Sequence, residues 1–192
     1  MTDGDEDAAL FMRVARGDQA AFATLFDRHQ KSVVRFAYRF VGSTARAEEL
    51  AQEIFVKLYR SAHRYQPTAR FKTFMFRVAT NHCLNEARRG EYRAETSAEA
   101  APNEAEPHAP TPEHAALARD LERTVKNTLM AMNERERAAF SMCRFEGLSY
   151  KDIAFALEAT ESAVKSMIHR ATVQMMNAVE ALNTAGAGRT GS

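Results

Sequence analysis

EGLSYKDIAFALEATESAVKSMIHRA, residues 146–171, reads as two short amphipathic helices joined by a tight turn. Ser149 with Asp152 three residues on has the spacing of a capping box, which predicts a helix from Tyr150 to Leu157. A turn follows at Glu158 and Ala159, and Thr160 caps a longer helix from Glu161. Ile153, Ala154 and Leu157 then face Val164 and Ile168, while Ser162, Lys165, Ser166, His169 and Thr172 point away from that contact. This is helix-turn-helix spacing, in which the second helix is shaped to enter a DNA major groove.

Immediately before this pair, Leu117, Leu121, Val125 and Leu129 recur at helical steps, and Asn133 with Glu136 repeats the capping-box pattern ahead of a helix that Gly147 ends. From Asn183 the chain reads NTAGAGRTGS, a composition expected to be disordered. Upstream lies a different texture: four of the five prolines, Pro102, Pro107, Pro110 and Pro112, are mixed with Ala, Glu, Thr and Ser between Ala94 and Ala116. Such a segment lacks the apolar side chains to bury a core and is expected to be a flexible linker of about 23 residues, spanning on the order of 25 to 30 Å.

The block before the linker is helical as well. Asp18 caps a helix carrying Phe22, Leu25, Phe26, His29, Val33, Phe36, Ala37 and Phe40 at three- and four-residue steps, ended by Gly42. After Ser43 and Thr44 a second helix buries Leu50, Ile54, Leu58 and Ala62 and presents Glu49, Gln52, Glu53, Val56 and Arg60 on its other face. Pro67 breaks the chain, and a third helix near Phe71 turns Phe74, Met75 and Val78 inward and ends in Arg88, Arg89 and Arg93. The expected fold is therefore all-α: two small helical domains joined by a flexible acidic Pro/Ala-rich linker, the C-terminal one with a helix-turn-helix. The expected segments are an acidic tail (1–9), a first domain (10–93), the linker (94–116), a second domain (117–182) and a disordered tail (183–192).

The near-neutral total, 26 Lys and Arg against 25 Asp and Glu in 192 residues, conceals a strong division. Residues 1–9 hold Asp3, Asp5, Glu6 and Asp7 and no base, whereas residues 10–93 hold 16 bases and 7 acids. The linker returns to pure acid with Glu95, Glu99, Glu104, Glu106 and Glu113. A basic block beside an acidic tether fits a nucleic-acid partner, and on charge alone it equally fits a solvated helical surface. No apolar run reaches membrane-spanning length and the N-terminus is the opposite of a signal peptide, so a cytoplasmic protein with no membrane span is expected.

Enzyme chemistry has almost no support. His29, His63, His82, His108, His114 and His169 show no ligand or triad spacing, and no Gly-rich loop is present to cradle a phosphate. The two cysteines, Cys83 and Cys143, are far apart, and the adjacent pair His82 and Cys83 points about 100° apart on a helix, which favours core packing over a metal site. No catalytic residue, cofactor, metal or small-molecule substrate is expected.

Three stretches in this order resemble the extracytoplasmic-function class of bacterial RNA polymerase sigma factors, and the resemblance covers nearly the whole chain. AEELAQEIFVKLYR (47–60) is similar to that family's core-binding helix, FKTFMFRVATNHCLNEARR (71–89) to its promoter-melting helix, and residues 146–171 to its region-4 helix-turn-helix. The resemblance implies a factor that binds core RNA polymerase and promoter DNA, opens the promoter, and is controlled by an anti-sigma factor. It assigns core binding to Glu48, Glu49, Gln52 and Glu53. The loop Tyr65 to Arg70 is implied to cradle a flipped base of the minus-10 element, with Lys72, Arg77, Asn81, Arg88 and Arg89 along the displaced strand. In region 4, Ser162, Lys165, Ser166 and His169 are implied to read the minus-35 element and Lys151 and Arg170 to hold phosphates, although His169 also fits an ordinary surface histidine. The linker is implied to thread the polymerase cleft and RNA exit path.

The sequence departs from the family pattern at several positions. Glu158 stands where Gly is frequent, Met167 and Thr172 where Arg is frequent, Phe74 where Trp is frequent, and Thr80 and Asn85 replace a frequent Arg and Asp. These changes bear on promoter contacts and on the sequence read. Two other readings use the same residues: a sigma-like decoy that sequesters an anti-sigma factor, and a stand-alone helix-turn-helix regulator.

Overall fold

A computed structural model of the chain describes residues 3–94 and 112–187. The linker residues Glu95, Glu99, Glu104 and Glu106, with Pro102, Pro107 and Pro110, lie outside the described residues, as do 188–192. Among the described residues every regular element is helical: α1 (Asp3–Val14), α2 (Gln19–Val41), α3 (Thr44–Ser61) with a 3₁₀ turn (Ala62–Arg64), α4 (Phe71–Ala94), α5 (Pro112–Ala131), α6 (Glu134–Arg144), α7 (Tyr150–Leu157) and α8 (Glu161–Ala187). None of these helices is long and apolar enough to cross a membrane.

Local chemistry sets the helix ends. The Asp18 carboxylate accepts the Ala21 N–H at 3.0 Å, and Gly42, at φ 66°, closes α2 by donating its N–H to Tyr38 O at 2.8 Å. Ser43, Ser149 and Thr160 cap α3, α7 and α8 by accepting the N–H groups of Arg46, Asp152 and Ala163. Each cap stabilises its helix by about 1 kcal/mol. Asn133 caps α6 by accepting Arg135 N–H, but Glu136 turns away from the helix start and pairs with Arg170 at 2.6 Å, so the expected capping box is only half formed.

Three boundaries differ from the sequence expectation. Residues 1–9 are not a tail from Asp3 onward, because α1 packs on α2 through the buried Asp7 and on α4 through the fully buried Phe11. A charge run looks solvated in sequence until its partners, Arg28 and His29, are brought beside it. The second block's first helix starts at Pro112 instead of 117, since proline is compatible with a first helical turn. Its last helix continues through residues 183–187, where no proline intervenes.

Phe36, Leu50, Ile54, Leu58, Phe71, Met75 and Phe76 fill the space between α2, α3 and α4, each side chain essentially inaccessible to water. The apolar core does not stop at the linker. Met142, Ile153, Leu157, Val164 and Ile168 of the second block join the same cluster, and a smaller one forms around Leu129, Met132, Phe140 and Ala171. Polar contacts reinforce the seam between blocks. Arg137 donates to the carbonyls of Phe40 (3.2 Å), Met130 (2.9 Å) and Met132 (3.2 Å), and Lys126 donates to Gly42 O at 2.8 Å. Glu146, buried, accepts from Ser32 and from Arg39 at 3.3 Å; burial lowers the Arg39 pKa while this carboxylate opposes the shift.

Candidate functional site

Three surfaces carry the residues singled out in the sequence. On α3, Glu48, Glu49, Gln52 and Glu53 are all exposed along one face while Leu50, Ala51 and Ile54 point inward. The acids are organised rather than merely solvated. Arg46 reaches Glu49 at 2.8 Å, Glu53 at 3.5 Å and Glu86 at 2.6 Å, and these hydrogen bonds, Glu49 first, raise its pKa. His82, buried, lies 2.7 Å by Nε2 from Glu53 and 2.6 Å by Nδ1 from Lys57 Nζ. Burial and then the Lys57 charge lower its pKa, with Glu53 opposing, which keeps the imidazole neutral at pH 7. A neutral ring accepting from Lys57 on Nδ1 donates from Nε2 to the carboxylate.

Beside these acids an apolar groove of about 500 Å³ opens between α2 and α3, lined by Phe22, Phe26, Phe55, Val56 and Tyr59 and edged by Gln52 and Arg60. Val56 and Tyr59 are exposed there. Phe22 and Phe26, on the apolar stripe of α2, are half-buried and form the groove wall. The pairing of edge-of-stripe aromatics on α2 with exposed apolar residues on α3 is the sequence signal that identifies it.

The second surface is α4 with the loop before it. Tyr65 is half-buried and its OH donates to Ala69 O at 3.3 Å; burial raises its pKa. Gln66, Pro67, Thr68 and Arg70 are exposed. Arg77, Asn81 and Arg88 stand four and seven residues apart on one stripe of α4, and Asn81, Arg88 and Arg89 are exposed. Lys72 and Arg77 are engaged at the seam. Lys72 donates to Glu146 O at 2.6 Å, and Arg77 pairs with Glu158 at 2.5 Å with its guanidinium 5.1 Å from the centroid of Phe155. Between them the buried Thr73 donates to Asp152 at 2.9 Å. Burial raises the Asp152 pKa, but hydrogen bonds from Ser149 and Thr73, with the Arg70 charge, outweigh it and hold the carboxyl below its usual value. Phe71 is core, while Phe74 and Val78 are half-buried against it.

On the third surface, α8 holds Ser162, Lys165, Ser166 and His169 exposed on one face at helical spacing, with Lys151 exposed on α7. Arg170 is exposed yet paired with Glu136. The turn between the helices places Glu158 at φ 50°, the left-handed region, which is strained for a residue with a Cβ. Of the departures from the family pattern, Thr80 is fully buried with its hydroxyl 3.9 Å from the Met142 sulfur across the seam, and Met167 packs against the core. Thr172 accepts from Arg144 at 3.5 Å, and Asn85 is exposed. Thr80 and Met167 thus both contribute to packing.

The chain matches known sequence families. Residues 25–92 match the family model for Sigma-70 region 2 and residues 122–175 that for Sigma-70, region 4. The chain is 33% identical over 190 residues, 95% of its own length and 98% of the other's, to the RNA polymerase sigma-H factor of Pseudomonas aeruginosa. It is 32% identical over 183 residues to the ECF RNA polymerase sigma-E factor of Haemophilus influenzae, covering 92% of this chain and 96% of that protein. In fold it is similar to the sigma factor RpoE from Bartonella quintana, solved in complex with the anti-sigma factor NepR: TM-score 0.63, 16% identity, 83% of this chain and 96% of the other.

Proposed function

We propose a division of labour among the three surfaces from the premise that the chain belongs to the extracytoplasmic-function class of RNA polymerase sigma factors. The face Glu48, Glu49, Gln52 and Glu53 docks on a basic helical surface of core RNA polymerase, with the neighbouring groove receiving an apolar side chain from the same partner. Charge complementarity here steers association and selects the partner, and burial of Val56 and Tyr59 slows dissociation.

The loop 65–70 and the α4 residues Lys72, Arg77, Asn81, Arg88 and Arg89 hold the melted minus-10 strand, and α8 reads the minus-35 element through Ser162, Lys165, Ser166 and His169. Lys151 and Arg170 anchor phosphates. The first block, which includes α1, and the second, which begins at Pro112, thus each read one promoter element, and the segment between them joins them. The chain contributes binding energy to promoter opening and performs no bond chemistry; it acts in the cytoplasm, where polymerase and promoter are. Because Lys72 and Arg77 are tied to Glu146 and Glu158, engagement of the minus-10 strand requires the blocks to part. A protein regulator that holds them together keeps the factor silent, and an anti-sigma factor, the partner of the Bartonella relative, is the class of protein that fits.

The observation that carries this reading is the coexistence, on one chain, of an exposed acidic face on α3 and an exposed helix-turn-helix face on α8. Run-off transcription with purified core RNA polymerase, with and without the protein, tests it. Specific transcripts are expected only with the protein, and Gln52→Ala combined with Glu53→Lys abolishes both transcripts and co-elution with core enzyme while the melting curve stays cooperative. Retained co-elution of that variant overturns the assigned docking face, and failure of the native protein to bind core turns the reading toward a decoy.

A further inference from the structure

The N-terminal helix has no part in the surfaces described so far, yet it is fixed to the protein with unusual care. The Asp7 carboxylate, almost inaccessible to water, accepts from Arg28 Nη1 at 2.8 Å and lies 2.7 Å from His29 Nε2. His29 in turn stacks at a tilt on Phe71, with 5.5 Å between ring centroids. These contacts hold α1 at one depth and one rotation against α2.

One turn further along α1, Phe11 is fully buried among aromatic rings: Tyr65 at 5.0 Å and 78°, Phe71 at 4.9 Å, and Phe74 at 5.8 Å. Tyr65 also packs on Phe74, 5.1 Å away, so that Phe11, Tyr65 and Phe74 form a triangle of mutually touching rings. Tyr65 is also where the loop 65–70 leaves the folded body. Tyr65 N–H donates to Ala62 O of the 3₁₀ turn at 3.0 Å, and within the loop Thr68 N–H donates to Gln66 O at 2.7 Å and the Tyr65 hydroxyl to Ala69 O, joining the loop's two ends. Gln66, Pro67 and Thr68 are exposed at its tip. The Tyr65 ring therefore connects the body of the protein to both ends of the loop, and Phe11 is the wall it leans on.

We propose that Phe11, acting through the Tyr65 ring, is a positioning residue for minus-10 base selection: α1 sets the shape of the 65–70 loop. A pocket that discriminates bases must hold its groups within a fraction of an ångström of the selective geometry, and exposed turn residues do not achieve that unaided. The inference rests on the loop being the base-reading element, and the closing experiment separates the two ideas.

The test compares Phe11→Leu with Phe36→Leu in holoenzyme assembled on core RNA polymerase. Phe36 is also fully buried, but its aromatic neighbours are Phe40 and Phe76, away from the loop. Binding is read by anisotropy with single-stranded minus-10 oligonucleotides carrying each of the four bases at each position. Both variants lower Tm; only Phe11→Leu reduces the ratio of best to worst base at one position, by threefold or more, with core affinity unchanged. Asp7→Asn, which loosens α1 at its contacts with Arg28 and His29 while leaving Phe11, Tyr65, Phe71 and Phe74 themselves unchanged, shifts the same ratio in the same direction and provides the readout should Phe11→Leu fold poorly. Equal ratios in Phe11→Leu and Phe36→Leu overturn the proposal. A third arm replaces Gln66 to Thr68 with glycines: unchanged base ratios there show that the loop does not read the base at all, whereas a changed ratio alongside a silent Phe11→Leu refutes the positioning role alone.

Discussion

Arg77 on α4 and Glu158 in the turn between α7 and α8 meet across the seam of the two blocks, their ion pair closing at 2.5 Å. Both side chains keep substantial contact with water, so the pair adds only about 0 to 1 kcal/mol. It is a contact that a phosphate can displace. Glu158 occupies its place against its own backbone preference, at φ 50°.

Replacing Glu158 by Gly removes roughly 1 kcal/mol of left-handed strain and loses a pair worth less than that, so Tm is expected to rise by about 1 to 2 °C. The same change leaves Arg77 without its carboxylate and lifts a negative charge from the helix-turn-helix. Holoenzyme carrying Glu158→Gly therefore forms open complexes at higher salt than the native factor, as a salt titration of promoter opening measures.

Lys151 and Lys165 are expected to separate holding from reading. Lys151→Ala weakens promoter binding evenly across minus-35 sequences and lowers the slope of log affinity against log salt by about one. Lys165→Ala changes which minus-35 base is preferred, by about 1 to 3 kcal/mol at one position. Binding curves at several salt concentrations on a small panel of minus-35 variants distinguish the two outcomes.

Acid is expected to loosen the seam through Asp152. Its carboxyl titrates below the usual range when folded, so it binds protons less readily in the folded than in the unfolded chain. The stability it contributes is complete above the ordinary carboxylate value of about 3.9 and is lost as pH falls through the lowered folded value. Asp152→Asn accordingly lowers Tm at pH 7, and the difference from the native protein shrinks as the pH of the melting experiment is taken from 5 toward 2.

Features written in neighbouring residues were legible in the sequence. Asp18, Ser43, Ser149 and Thr160 start helices through side chains that reach only three residues ahead, and the inward stripes of α2 and α3 follow from helical spacing. The helix-turn-helix and the exposed positions on α3 and α8 were found for the same reason. What distance in sequence hid is tertiary: Asp7 meets Arg28 and His29, Glu53 meets His82, and Lys72 meets Glu146 only after folding. An acid met without its partner reads as solvent-facing, which is why residues 1–9 read as a tail. Glu136 had two uses open to it, and Arg170, arriving from α8, prevailed over the cap.

Much of the polar seam is built on main-chain acceptors: Lys72 on Glu146 O, Lys126 on Gly42 O, and Arg137 on Phe40 O. A carbonyl oxygen survives any substitution of the residue that bears it. Tolerance to mutation is therefore lopsided at these three contacts, with the donor side fixed in identity and the acceptor side constrained only in backbone path. Sequence drift can rewrite one flank of each contact while the closed arrangement persists, so the docking of the two halves can outlast the visible pairing of residues that would betray it in a comparison of sequences.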